Sequence, residues 1–179
     1  MKDINYWIEQ LKLQTHPEGG YYNEIYVSDI EIDSSVLDAD IEGKRKLSTS
    51  IYYLLPYGET SKFHSFKSDE IWYYHYGSAI TVYYFDPQGK FISKVLGPEA
   101  HKGQQLQVVI PAYSIMGANT TEPGSYSLIG CMVSPGFDFK DFKLFDKEEL
   151  LQLYPDQHEL IHRIYSWAGS IASNFDKNQ

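Results

Sequence analysis

Two titratable side chains in an apolar run are the natural place to look for chemistry. Residues 58–77, GETSKFHSFKSDEIWYYHYG, hold His64 and Glu70 among Phe63, Phe66, Trp72, Tyr73, Tyr74 and Tyr76. Burying a charge without a partner is costly, so the pair needs a reason. Either His64 and Glu70 satisfy one another as structure, or they form the floor of a pocket. A carboxyl beside Trp72 and Phe66 loses solvation, which raises its pKa, while a nearby His64 opposes that shift. Such a pair can hold and move a proton near neutrality, with His64 as base and Glu70 as its orienter or as the acid. Tyr74 is the tyrosine chosen as proton donor. Phe66 and Trp72 offer flat faces to a sugar ring or heterocycle.

A second polar pair, His16 and Glu18, lies in THPEGGYY, where Pro17 and Gly19-Gly20 force a turn. Polar groups on a rigid turn are candidates for ligand contact, here at the mouth of the pocket. The alternative reading is loop hydrogen bonding.

The elements that must position these residues read as mainly β. Residues 3–13 predict a short helix, with Asp3 as cap and Ile4, Trp7, Ile8 and Leu11 on one stripe. Strands are expected over 21–27, 47–55, 79–85, 91–96, 105–110, 114–119 and 125–133, separated by Pro, Gly and Asp turns. In the central stretch, alternation puts Phe66 on the same face as His64, and Trp72, Tyr74 and Tyr76 on the same face as Glu70. His75 then points the other way, as a sheet-packing or surface residue. Asp146 and Glu149 open a helical end, and a second helix is expected over about 156–167. Residues 28–46 read as a surface excursion, with Lys44-Arg45-Lys46 solvated. The strand count suggests a sandwich or barrel.

Composition bounds the function classes. The chain has 179 residues, 16 tyrosines and a net charge of −9. One domain over residues 1–167 is expected, followed by a flexible tail over 168–179. A phosphate-tracking surface is not expected, so nucleic acid is set aside as a partner. No apolar run reaches the length of a membrane span, and no signal peptide is read, so a cytoplasmic protein is expected. Cys131 reads as a buried, inert thiol.

The segments HPEGGYY, STSIYYLL, HSFKSDEIW, VVIPA and GCMVSPGFDF occur in that order. Together they resemble the cupin subgroup listed as DUF985 or Cupin_5, over about residues 11–164. Gly58, His64, Glu70 and Gly77 fall on the first cupin motif, G-x5-H-x-H-x3,4-E-x6-G, with Phe66 in place of its second histidine. The resemblance implies a jelly-roll barrel (a double-stranded β-helix) that binds a small molecule in its mouth, and a homodimer.

A cupin metal set resembles three histidines and a glutamate. In the second motif, G-x5-P-x-G-x2-H-x3-N, Pro111 aligns, but Tyr113 and Met116 replace its glycine and histidine. Only His64 and Glu70 remain as metal ligands, too few for the usual zinc or iron sites, so no cofactor is expected. The RmlC-like sugar epimerases of the same superfamily are metal-free and use histidine as a base. The reading is therefore a small-molecule-binding cupin, with metal-independent isomerisation or epimerisation of a carbohydrate-like substrate as its sharpest form. The alternatives are a non-enzymatic ligand-binding or sensor module, a metal-dependent oxygenase or isomerase with a degenerate ligand set, and an interior packed shut.

Overall fold

The computed structural model describes residues 2–37 and 40–167. The tail expected over 168–179 lies outside the described residues. Three helices, α1 (Ile4–Gln10), α2 (Lys147–Leu153) and α3 (His158–Trp167), flank a body of strands. These are β1 (Gln14–Thr15), β2 (Tyr21–Val27), β3 (Glu31–Ile32), β4 (Arg45–Lys46), β5 (Thr49–Pro56), β6 (Thr60–Ser65) and β7 (Asp69–Gly77). They continue with β8 (Ile80–Phe85), β9 (Phe91–Leu96), β10 (Gln107–Ile110), β11 (Ile115–Thr120), β12 (Tyr126–Ser134) and β13 (Lys143–Leu144).

One sheet has the order β1-β2-β5-β12-β7-β10 and the other β13-β6-β11-β8-β9, and all their pairings are antiparallel. Together they form the jelly roll. Between them lies the main core, where Leu55, Trp72, Ile129 and Cys131 of the first sheet meet Val82, Tyr84, Met116 and Ala118 of the second. The excursion over 28–46 is not wholly irregular, since β3 and β4 pair with each other within it.

The helices seal the outer faces. Asp3 caps α1 by accepting from the Asn5 N–H. The stripe Ile4, Trp7, Ile8 and Leu11 packs on Leu54, Tyr126 and Leu128 of the first sheet. The helix ends at Gln10, earlier than its apolar stripe, because Lys12 turns into the left-handed region at φ 52°. At the other end Asp146 accepts from the Glu149 N–H at 2.7 Å and starts α2. Leu150, Leu160, Ile161 and Ile164 then cover Phe63, Tyr83 and Phe85 of the second sheet. Burying each such aliphatic side chain contributes about 1.5–3 kcal/mol.

Two bulges decide which side chains reach the interior. Along β11 and β6, Met116 pairs with His64 but Ala118 pairs with Ser61, so β6 carries one extra residue. Ser61 and His64 therefore share the inner face, while Phe63 lies under the C-terminal helices. Gly117 leaves room for the Phe63 ring, since a Cβ there would stand 3.1 Å from it. Along β12 and β7, Leu128 pairs with Tyr76 but Ile129 with Tyr74, which makes His75 the extra residue. Tyr76 is thereby turned to the outer face, against Trp7 and Tyr126, instead of following Glu70 and Trp72 inward. His75 lies over Gly130 and against Tyr52.

The turn after β1 folds tightly against the barrel. The Gly19 N–H donates to the His16 carbonyl, and the His16 N–H to the Gly20 carbonyl, both at 3.0 Å. The Lys62 N–H donates to the Glu18 carbonyl at 2.9 Å, which lays the turn across β6. Gly19 has φ +117°, and a Cβ there would stand 2.1 Å from the Thr60 carbonyl oxygen. Gly124 has φ +71° with nothing within 4 Å of a Cβ. Chemical denaturation should separate backbone strain from contact: Gly124→Ala is expected to cost about 1 kcal/mol, and Gly19→Ala about 3 kcal/mol or more. Equal costs would show that the approach to Thr60 is not a constraint.

Candidate active site

The turn, the sheets and the segment after β12 enclose a pocket of about 260 Å³. Glu18 enters from the turn, His64 from β6, Phe66 just beyond it, and Glu70 and Trp72 from β7. Tyr53 comes from β5 and Cys131 from β12. Phe137, Phe139 and Phe142 form a wall of mutually packed rings.

That wall is held by a buried guanidinium. Arg45 donates from Nε to Asp141 Oδ2 at 2.7 Å and from Nη2 to Oδ1 at 2.9 Å. Its Nη1 also donates to the Glu42 and Lys44 carbonyls. Lys44 is exposed, as a solvated basic loop requires, but Arg45 corrects that expectation: it is only 5% exposed, because β4 places it beneath the Phe139–Asp141 turn. Two-pronged Arg–carboxylate bonding fixes geometry as well as charge.

Glu18 is the best-partnered carboxylate in the pocket. Its Oε1 accepts from Ser61 Oγ at 2.8 Å, and its Oε2 lies 3.0 Å from His64 Nε2 and 3.6 Å from His16 Nδ1. His64 Nδ1 stands 2.7 Å from the Lys62 carbonyl, an acceptor only, so that nitrogen carries a proton. Both ring nitrogens of His64 are thus committed. The acidic partner of His64 is Glu18, and no ion pair joins His64 to Glu70 among the described residues. The β6 bulge produces this pairing by placing Ser61 and His64 on one face beneath the turn.

His16 is held differently. Its Nδ1 accepts from the Glu18 N–H at 3.3 Å, and its ring meets Tyr22 edge-on at 4.6 Å. Burial holds its imidazole below the usual pKa, with Glu18 pulling the other way and His64 adding to the depression. Tyr53 donates to the Gly19 carbonyl at 2.8 Å, and burial pushes its phenol well above the usual range.

Glu70 has the opposite environment. It is 7% exposed, and its Oε2 has no hydrogen-bond partner. Burial, then the charge of Glu18, pushes its carboxyl up to about 8, with Trp72 and Cys131 nearby acting to lower it. Glu70 is therefore mostly protonated at neutral pH. The buried Trp72 Nε1–H also lacks a partner. Cys131 is buried, and its thiol is pushed up by burial and by Glu70.

Of the residues singled out in the sequence, His16, Glu18, His64, Phe66, Glu70 and Trp72 all line this pocket. Tyr74 does not. Its hydroxyl donates to the Gly77 carbonyl at 2.6 Å, so its proton is spent on the strand end. Ser61, Tyr53, Arg45 and the three phenylalanines of the wall were not assigned to the site from sequence. The alternating phenylalanines after Pro135-Gly136 were the available signal for the wall. Nothing local marks Ser61.

The residues present do not fit a cupin metal set. Phe66 stands in one ligand position, and Met116, buried in the core beside His64, stands in another. Both nitrogens of His64 face other partners, and among the described residues no three His, Cys, Asp or Glu side chains converge as a metal site.

Comparison with known proteins identifies the fold and the family. A hypothetical protein from Leishmania major is 32% identical, with a TM-score of 0.82 over 90% of this chain and 98% of its own. A protein from Shewanella oneidensis is 37% identical, with a TM-score of 0.80 over 92% and 98%. A cupin 2 domain-containing protein from Halorhodospira halophila, at 13% identity and TM-score 0.53 over 84% and 85%, shares the fold alone. So does oxalate decarboxylase from Bacillus subtilis, at 15% identity and TM-score 0.50 over 84% of this chain and 36% of its own. No curated protein matches. No helix among the described residues is long and apolar enough to cross a membrane. The family model described as Cupin_5, Cupin superfamily (DUF985), matches residues 5–145, and the chain belongs to that family.

Proposed function

We propose that the pocket binds a small polar, carbohydrate-like molecule and isomerises it by metal-independent proton transfer. The observation that carries this reading is the contrast between two carboxyls lining one cavity. Glu18 is held by Ser61 and His64, whereas Glu70 is buried without a partner for Oε2. Two carboxyls held in unlike environments at one site are the usual mark of a base and an acid.

The roles differ from those read in the sequence. His64, with both nitrogens engaged, positions Glu18 rather than meeting substrate. Glu18 keeps lone pairs beyond its two bonds and acts as the base. It takes the proton from a carbon bearing a hydroxyl and next to a carbonyl, while Glu70 gives its proton to the carbonyl oxygen, forming an enediol. Glu18 then returns its proton to the former carbonyl carbon, and Glu70 recovers one from the neighbouring hydroxyl. No atom is gained or lost, and both carboxyls end as they began. In the same proposal the chain works as a cytoplasmic homodimer; a net charge of −9 supports only the part that it has no anionic nucleic-acid or membrane partner.

The chemistry is tested by following loss of the α-proton signal of hydroxy-aldehydes and hydroxy-ketones in deuterated water. Chelator-treated protein should exchange that proton as fast as untreated protein, and Glu18→Gln and Glu70→Gln should each slow exchange by about 100-fold or more. Saturable binding without exchange would move the protein to the sensor or binding class. Exchange that requires added metal would favour the metal-dependent reading.

Protonation of Glu70 is tested through stability. Its pKa is raised from 4.5 to about 8, so the folded chain keeps a proton that the unfolded chain releases. The resulting stabilisation is complete below the unfolded value and is lost as pH rises through the folded one. Between about pH 5 and pH 8.5, wild type should lose roughly 4 kcal/mol relative to Glu70→Gln. A constant difference across that range would show Glu70 ionised throughout and remove it as the acid.

A further inference from the structure

The charge of the substrate can be read from what the pocket lacks and from what its hydrogen-bonding groups already do. Among the described residues no lysine or arginine lines it, whereas three carboxyls do: Glu18, Glu24 and Glu70. Phosphate and carboxylate groups are held by guanidinium or ammonium groups, by helix N-termini or by convergent backbone N–H groups. The buried guanidinium near the wall, Arg45, is spent on Asp141. Helix α1 lies on the outer face of the first sheet, and α2 and α3 behind the second. The turn's N–H groups are also taken. Glu18 N–H donates to His16 Nδ1, Gly19 N–H to the His16 carbonyl, and Gly20 N–H to Glu59 Oε2. His64 is held between Glu18 and the Lys62 carbonyl.

The groups left without partners suit an uncharged ligand. Glu70 Oε2 and Trp72 Nε1–H are both buried and make no hydrogen bond of good geometry, although Trp72 stands near enough to act on the Glu70 carboxyl, and both residues line the cavity. A neutral carbonyl or hydroxyl satisfies such groups without adding a charge beside Glu18. The aromatic walls offer apolar faces to the C–H face of a sugar. At about 260 Å³ the cavity lies just below the usual range for drug-sized ligands, which suits a group of monosaccharide size inside it.

We propose that this pocket takes an uncharged hydroxy-carbonyl compound of monosaccharide size and turns away its phosphorylated and carboxylated derivatives. The inference rests on the reading of this pocket as the site of a carbohydrate-like molecule. It concerns binding only, so it stands or falls separately from proton transfer.

The test is a titration of the full chain at neutral pH, by ligand-observed NMR and calorimetry. The probes are free aldopentoses, aldohexoses and their ketoses, each paired with its sugar phosphate and aldonate. At least one free sugar should saturate the protein with a Kd of about 10 mM or tighter and bind at least about 10-fold more tightly than its charged counterparts. Glu24→Lys, a change at an exposed lining position, should narrow that gap by roughly 3-fold or more through charge alone. Phosphates or aldonates binding as well as their parents would overturn the proposal, and so would a panel in which no free sugar saturates. Selective sugar binding without α-proton exchange would leave this inference standing and remove the isomerase reading. Exchange in a sugar phosphate would do the reverse.

Discussion

Glu18 is a carboxylate taken out of water, and the structure around it is arranged to give that charge partners. An unpaired buried ion costs several kcal/mol, so the turn that carries Glu18 must reach both Ser61 and His64. That requirement accounts for several otherwise separate features. The extra residue in β6 turns Ser61 and His64 to the same face. Gly19 lets the turn approach the Thr60 carbonyl more closely than any side chain allows. Tyr53 and Lys62 then tie the turn down through the Gly19 and Glu18 carbonyls. Three of these bonds come from β6 and one from β5, so the position of one carboxylate depends on strands of both sheets.

The second carboxyl shows how strongly environment sets role. Glu70 and Glu18 have the same chemistry and line the same cavity, yet loss of solvation on burial favours the neutral form of Glu70. The field of Glu18 adds to that preference, so the two carboxyls are coupled: holding a charge on one disfavours it on the other. The Arg45–Asp141 pair contributes at a distance by fixing the segment that carries the aromatic wall. Its buried position beneath an aromatic turn gives order to a stretch that composition alone marks as a polar loop.

Membership of the Cupin_5 family sets the frame without setting the activity. Two similar structures above 30% identity cover nearly the whole chain. Those below 20% share the jelly roll alone. Within this frame, Phe66 and Met116 make apolar two positions that the cupin motifs give to histidine. The site is better described by its carboxyls and aromatic rings than by a ligand set.

The sequence by itself determined much of the architecture. Local apolar periodicity and turn residues carry strands such as Tyr21–Val27 and Phe91–Leu96, the cap at Asp3 and the helical end after Asp146. The ordered motifs add the jelly roll, and they mark His16, Glu18, His64, Phe66, Glu70 and Trp72. Only the tertiary structure decided how these residues are paired. Strand alternation holds until an extra residue enters, and a bulge depends on the partner strand rather than on the residue itself. The bulges at β6 and His75 therefore moved Ser61 inward and Tyr76 outward without a local sign. The partner of His64 was missed for a related reason. Glu70 is near it in sequence, but Glu18 is brought to it by a turn that crosses from another part of the chain. Hydrogen bonds and burial act through space, so the charge state of each carboxyl is set only once both sheets are in place.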